Sequence, residues 1–129
     1  MDTIPNSPFR RPLQVYLIDV VSRCVSLVPY DGSLKRLYEL IDCDLIDSTA
    51  RQPNRDGIFC TDMLPDEPQL PAFRLRSTGQ ILYRNGVWAG CDREGNTVSP
   101  ATSLEQVQRE IEFLGLIPYR PTPIRIIAW

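Results

Sequence analysis

Five turn-forming clusters divide this chain into short apolar runs, and their spacing limits it to small hairpins rather than long helices. The clusters are Tyr30-Asp31-Gly32-Ser33, Gln52-Pro53-Asn54-Arg55-Asp56-Gly57, Ser77-Thr78-Gly79, Arg84-Asn85-Gly86 and Asp92-Arg93-Glu94-Gly95-Asn96. Gly, Asn and Asp accept the left-handed backbone that tight reversals need, and Pro presets φ. Between the clusters, Val, Ile, Leu, Phe and Tyr recur with the period of half-buried strands. Leu13 to Val21 and Cys24 to Val28 form a first predicted hairpin, and Asp42 to Ala50 with Ile58 to Met63 a second. After a loop from Leu64 to Pro71 that carries three prolines, Ala72 to Arg76 sets Phe73 and Leu75 on one strand face and Arg74 and Arg76 on the other. Gln80 to Tyr83 and Val87 to Cys91 complete a β meander.

Two stretches have helical spacing. Ser33 is a predicted N-cap for Leu34, Leu37, Tyr38 and Ile41. The second helix is expected over Ser103 to Leu114, with Leu104, Val107, Ile111 and Leu114 on one stripe and Gly115 as its C-terminal cap. The order of elements predicts an α+β fold, a small mostly antiparallel sheet with two short helices. At 129 residues the chain has room for one domain. Folding would bury about two thirds of the extended surface. We place that domain at 13–115, after a proline-rich arm at 1–12 and before a proline-rich tail at 116–129. The tail ends in Ile124-Arg125-Ile126-Ile127-Ala128-Trp129, an apolar terminus that calls for cover, either as an edge strand of its own sheet or from a second copy in a homodimer.

Composition narrows the function by exclusion. The chain has no histidine, which removes the usual general base and the commonest zinc ligand. Cys24, Cys43, Cys60 and Cys91 are too far apart for a paired-cysteine zinc site, so buried reduced thiols are expected. The apolar run from Leu13 to Ile18 is broken by Asp19, so no secretory signal or membrane span is predicted and the expected compartment is the cytoplasm. A net charge of -2 argues against general nucleic-acid binding. Neither a Walker loop nor a G-x-G-x-x-G occurs. Asp42, Asp44 and Asp47 are the densest acidic cluster and with Asp62 could gather oxygen ligands for a hard cation, but their spacing fits no EF-hand and reads as solvated carboxylates, so no metal, cofactor or catalytic residue is assigned.

What stands out is an excess of arginine, with Lys35 the only lysine. Guanidinium groups hold phosphates in planar, bidentate fashion while aromatic rings stack on bases. On the meander this points to a candidate ligand surface of Arg74, Arg76, Tyr83, Arg84 and Trp88; a charged outer sheet face with core aromatics is the plainer alternative.

Val15-Tyr16-Leu17-Ile18-Asp19, Tyr30-Asp31-Gly32, Leu37-Tyr38-Glu39-Leu40-Ile41-Asp42-Cys43-Asp44 and Gly90-Cys91-Asp92-Arg93-Glu94-Gly95-Asn96-Thr97-Val98-Ser99-Pro100 together resemble a family of small uncharacterised bacterial and phage proteins carried on mobile elements. The resemblance spans roughly residues 13 to 114 and implies a soluble accessory protein, with no catalytic residue to carry over. The expected function is therefore a non-catalytic binding protein that blunts a host defence, by sequestering a small nucleotide signal or by blocking a host defence protein. The alternatives are a plain interaction or regulatory subunit, or a histidine-free, metal-dependent enzyme.

Overall fold

A computed structural model describes residues 13–41, 46–49, 54–61 and 64–119. The arm at 1–12, Cys43 and the terminal Ile124 to Trp129 lie outside the described residues. In chain order the elements are β1 (Leu13–Asp19), β2 (Cys24–Tyr30), α1 (Leu34–Ile41), β3 (Ile46–Thr49), β4 (Gly57–Thr61), β5 (Gln69–Leu75), β6 (Ile81–Tyr83), β7 (Gly86–Cys91), β8 (Thr97–Val98), α2 (Leu104–Glu110) and β9 (Ile111–Pro118). All strand pairs are antiparallel, and the fold is α+β as the element order requires. No helix among the described residues is long and apolar enough to cross a membrane.

The strands form two sheets. The larger runs β2-β1-β7-β4-β3, with β8 on the end of β7, and the smaller runs β6-β5-β9. Period-two alternation sorts the side chains of the larger sheet into two apolar layers. Val15, Val87 and Ala89 pack with Leu37 and Ile41 of α1 on one face. Tyr16, Ile18, Ile58 and Trp88 face the other way, onto Phe73, Leu75 and Leu82 of the smaller sheet and Val107 of α2. Both faces of β1 and β7 are thus apolar, which is why apolar residues follow one another from Val15 to Ile18 and from Val87 to Ala89 instead of alternating with polar ones. Gly86 lets the two sheets approach closely: a Cβ there would lie 3.1 Å from both Ile58 Cγ2 and Phe73 Cζ, so those side chains would have to shift by a few tenths of an ångström.

Helix α1 begins as its sequence demands, with Ser33 Oγ accepting the Arg36 amide at 3.1 Å and Asp31 Oδ1 accepting the Ser33 amide at 2.8 Å. Helix α2 begins with a full capping box between Ser103 and Gln106. Its end differs from the sequence expectation. The helix stops at Glu110, and Ile111 to Leu114 are strand, paired to β5 from Leu75↔Ile111 onward. The stripe Leu104, Val107, Ile111, Leu114 fits a helix, but Ile111 and Phe113 also fit a strand, and pairing with β5 decides between the two. Gly115 does not cap a helix; it sits at φ +70 beside a β-bulge, where the register passes from Phe73↔Phe113 to Ala72↔Gly115. The sheet therefore continues through Pro118, past the expected boundary at 115. β5 likewise starts at Gln69, so the preceding loop is shorter than its prolines suggest.

The outer edge of β2 is blunted against association. Gln108 Nε2 donates to Val25 O at 3.2 Å, Arg36 Nε donates to Pro29 O at 3.2 Å, and Pro29 has no N–H to offer. Of the cysteines described, only Cys60 is buried; Cys91 is half-buried and Cys24 is exposed.

Candidate functional site

The five residues of the expected ligand surface do not form one surface. Arg74 and Arg76 do share an outer face of the smaller sheet, but both guanidinium groups reach the same carboxylate, Glu112 Oε1, at 3.5 and 3.7 Å. Glu112 stands directly opposite Arg74 in the β5–β9 register, so the pairing is built into the strand alignment. Tyr83 packs edge-on against Tyr119, with ring centroids 4.9 Å apart. Arg84 lies in the β6–β7 turn at φ +68 and lines a separate cleft of about 400 Å³ with Val20, Ile41, Glu67 and Leu70. Trp88 has to be withdrawn from any ligand surface: it is 2% exposed between the sheets, and its indole N–H donates to Asp56 Oδ2 at 2.8 Å. The indole is amphipathic, so once its nitrogen has a buried acceptor the ring belongs to the core.

A different place brings an arginine and an aromatic residue together, with glycines that the sequence reading did not single out for ligand binding. On the α1 face of the larger sheet, a cavity of about 240 Å³ is lined by Arg55, Gly57, Phe59, Ala89, Gly90, Cys91, Gly95 and Thr97. Three segments build it. The turn before β4 supplies Arg55, alternate residues of β4 and β7 supply Gly57, Phe59 and Ala89, and the β7–β8 hairpin supplies Gly95 and Thr97. Gly57 and Ala89 are cross-strand partners, so this part of the wall is nearly bare backbone. The hairpin is shaped by Asp92, whose carboxylate accepts from the Glu94 and Asn96 amides at 3.0 and 2.8 Å. Those bonds and the Asn96 side chain hold the Asp92 carboxyl below its ordinary pKa. The turn expected at 92–96 is thus closed by its own first residue.

Arg55 has φ +74, a left-handed conformation that costs a non-glycine residue roughly 1–3 kcal/mol. Its two neighbours are both anchored. Asp56 is 1% exposed and accepts four hydrogen bonds: Trp88 Nε1 at 2.8 Å, the Ala101 amide at 2.9 Å, the Thr102 amide at 3.0 Å and Thr102 Oγ1 at 2.7 Å. Asn54 Oδ1 accepts the Asp56 amide at 3.1 Å, and Asn54 Nδ2 donates to Thr102 Oγ1 at 2.9 Å. Tyr16 completes the network by donating its hydroxyl to Thr102 O at 2.7 Å. This carboxylate ties the entry to β4, the core of β7 and the start of α2 together. Sequence reasoning took Asn54 to Gly57 only as a turn, since nothing local marks which Asp of a turn goes inward or which residues it will meet.

Burial raises the Tyr16 phenol, with the Asp56 charge adding to it. Burial also raises the Tyr30 phenol, against a hydrogen bond with Thr97 and with Asp31 adding to the rise. A raised folded-state pKa means that the folded chain holds its phenol protons while the unfolded chain begins to lose them near pH 10. Stability from these groups is complete below about pH 10 and falls as pH rises through the folded values. Chemical denaturation midpoints should therefore decline from pH 9 to 11, and Tyr16→Phe with Tyr30→Phe should flatten that decline. A wild-type slope unchanged in the double variant would refute the assignment.

Among the described residues no three metal-ligating side chains gather. Asp42, Asp44 and Asp62 lie outside the described residues, and only the backbone of Asp47 is described, in β3. No family model matches the chain, and neither does any curated protein or solved structure.

Proposed function

We propose that this is a small, non-catalytic accessory binding protein of phage or mobile-element type, which sequesters a phosphate-bearing nucleotide in the Arg55–Phe59 pocket within the host cytoplasm. The observation that carries this reading is an arginine on a strained backbone that lines one cavity together with an aromatic residue and three glycines. Arginine binds phosphate oxygens through a rigid fork of donors, and Phe59 offers a face for a base. The glycines let a ligand approach the main chain, as phosphates often do. A cavity of about 240 Å³ suits one nucleotide unit or its base end rather than a dinucleotide. With no imidazole anywhere in the chain, the pocket has the means to hold such a ligand but no ordinary base to convert it. The mobile-element setting rests on the sequence resemblance over residues 13 to 114.

The test is calorimetric titration against a panel of linear and cyclic nucleotides. Arg55→Gly is the informative variant, because glycine accepts φ +74, so the side chain with its guanidinium is removed while the turn can keep its backbone. Losing a charge-assisted contact of about 1.5–3 kcal/mol should weaken binding roughly ten- to a hundredfold. The melting temperature should not fall, because glycine relieves the left-handed strain at this position. No heat of binding from wild type, or equal affinity in Arg55→Gly, would sink the reading.

A further inference from the structure

The pocket guanidinium stands on a backbone conformation that arginine does not favour, and we infer that Thr102, which does not line the pocket, is the positioning residue that keeps Arg55 there. The inference takes the reading of the Arg55 pocket as its setting, while its central measurement needs no ligand.

Both neighbours of Arg55 converge on one hydroxyl. Thr102 Oγ1 donates to Asp56 Oδ2 at 2.7 Å and accepts from Asn54 Nδ2 at 2.9 Å, while the Thr102 amide donates to Asp56 Oδ2 at 3.0 Å. A hydroxyl can donate and accept at once, which is what this position needs. Asn54 and Asp56 are further joined by the 3.1 Å bond from the Asp56 amide to Asn54 Oδ1, so the chain around Arg55 forms a closed loop clamped from one side. The clamp is itself fixed: Tyr16 on β1 donates to Thr102 O at 2.7 Å, and Ser103 caps α2 immediately after it. Left-handed backbone at a non-glycine residue persists only where the surroundings over-determine it. Here the surroundings are residues some fifty positions later in the chain, carried on the segment that leads into α2.

Valine matches threonine in shape but lacks the hydroxyl, so Thr102→Val releases both side-chain bonds while leaving the amide bond to Asp56. Arg55 then relaxes toward negative φ for part of the time and carries its guanidinium away from the pocket. If the binding-competent conformer drops to between a tenth and a third, the dissociation constant rises about three- to tenfold. Thr102→Ser keeps the hydroxyl and should behave as wild type.

The decisive readout is the intraresidue amide–Hα cross-relaxation of Arg55 by NMR, because the two protons lie closest in the left-handed region, at φ of about +60°, and move apart at negative φ. We expect the strong left-handed cross-peak in wild type and Thr102→Ser and a weaker, averaged one in Thr102→Val. Asn54→Ala, at an exposed site that leaves the four bonds to Asp56 in place, is the second variant should Thr102→Val fold poorly, and it should weaken the cross-peak the same way. Titration with adenosine monophosphate supplies the affinity ratio. An Arg55 cross-peak that keeps its left-handed intensity in folded Thr102→Val or Asn54→Ala overturns the positioning role. Absence of any binding by wild type overturns the pocket reading instead, and the cross-peak still decides the role of Thr102.

Discussion

Replacing Asp56 with alanine is expected to destabilise this protein by about 3–5 kcal/mol, because several buried donors lose their acceptor at once. The carboxylate is 1% exposed and takes four donors. Alanine leaves the Trp88 indole N–H and the Ala101 and Thr102 amides facing a small void, and each unmet donor costs about 1–3 kcal/mol where water cannot replace the partner. Thr102 Oγ1 can turn toward Asn54, which moderates the sum. For a chain of this size the loss corresponds to a fall in Tm of roughly 10–20 °C. Asp56→Asn should fall between the two, since its carbonyl still accepts while its NH₂ is set against donors. Thermal or urea denaturation of the two variants checks the order. If Asp56→Ala melts within about 3 °C of wild type, the carboxylate is not the anchor described here.

Phe73→Ala is expected to cost a similar amount by a different route, about 3–5 kcal/mol through lost burial and the cavity left behind. Phe73 is 0% exposed at the centre of β5, and its ring lies against the backbone at Gly86 on the opposing sheet. Phe73 belongs to the cluster in which Tyr16, Ile18, Ile58 and Trp88 of the larger sheet pack on Leu75 and Leu82 of the smaller one, so its loss opens a cavity between the sheets. Phe73→Leu retains most of the volume and should cost under about 1.5 kcal/mol. Equilibrium denaturation with both variants separates a packing role from a general tolerance at this site: equal, small losses would mean that the two sheets are not held together by this contact.

The pattern of turns and apolar runs was legible in the chain because it depends on neighbours. Asp31 and Ser33 cap α1 through residues two and three positions away, and Asp92 closes its own hairpin. The β1–β2 hairpin, the start of α2 and the α+β class follow from the same short-range chemistry. Long-range partners were not legible. Ile111 to Leu114 carry both a helical and a strand pattern, and only the open edge of β5 selected the strand. Arg74 and Arg76 share a face as alternation requires, yet the Glu112 that they both meet is brought to them by that same pairing. Trp88 looked like a ligand platform until Asp56, thirty-two residues earlier, supplied its buried acceptor. The Arg55–Phe59 pocket joins the turn before β4 to the β7–β8 hairpin, and Thr102 clamps that turn from the segment leading into α2. The amino-acid sequence by itself determined where this chain turns and which runs extend, since φ preferences and side-chain period are local properties. Which strand lies beside which, and therefore which carboxylate, ring and guanidinium meet, was decided only by burying both faces of the larger sheet at once.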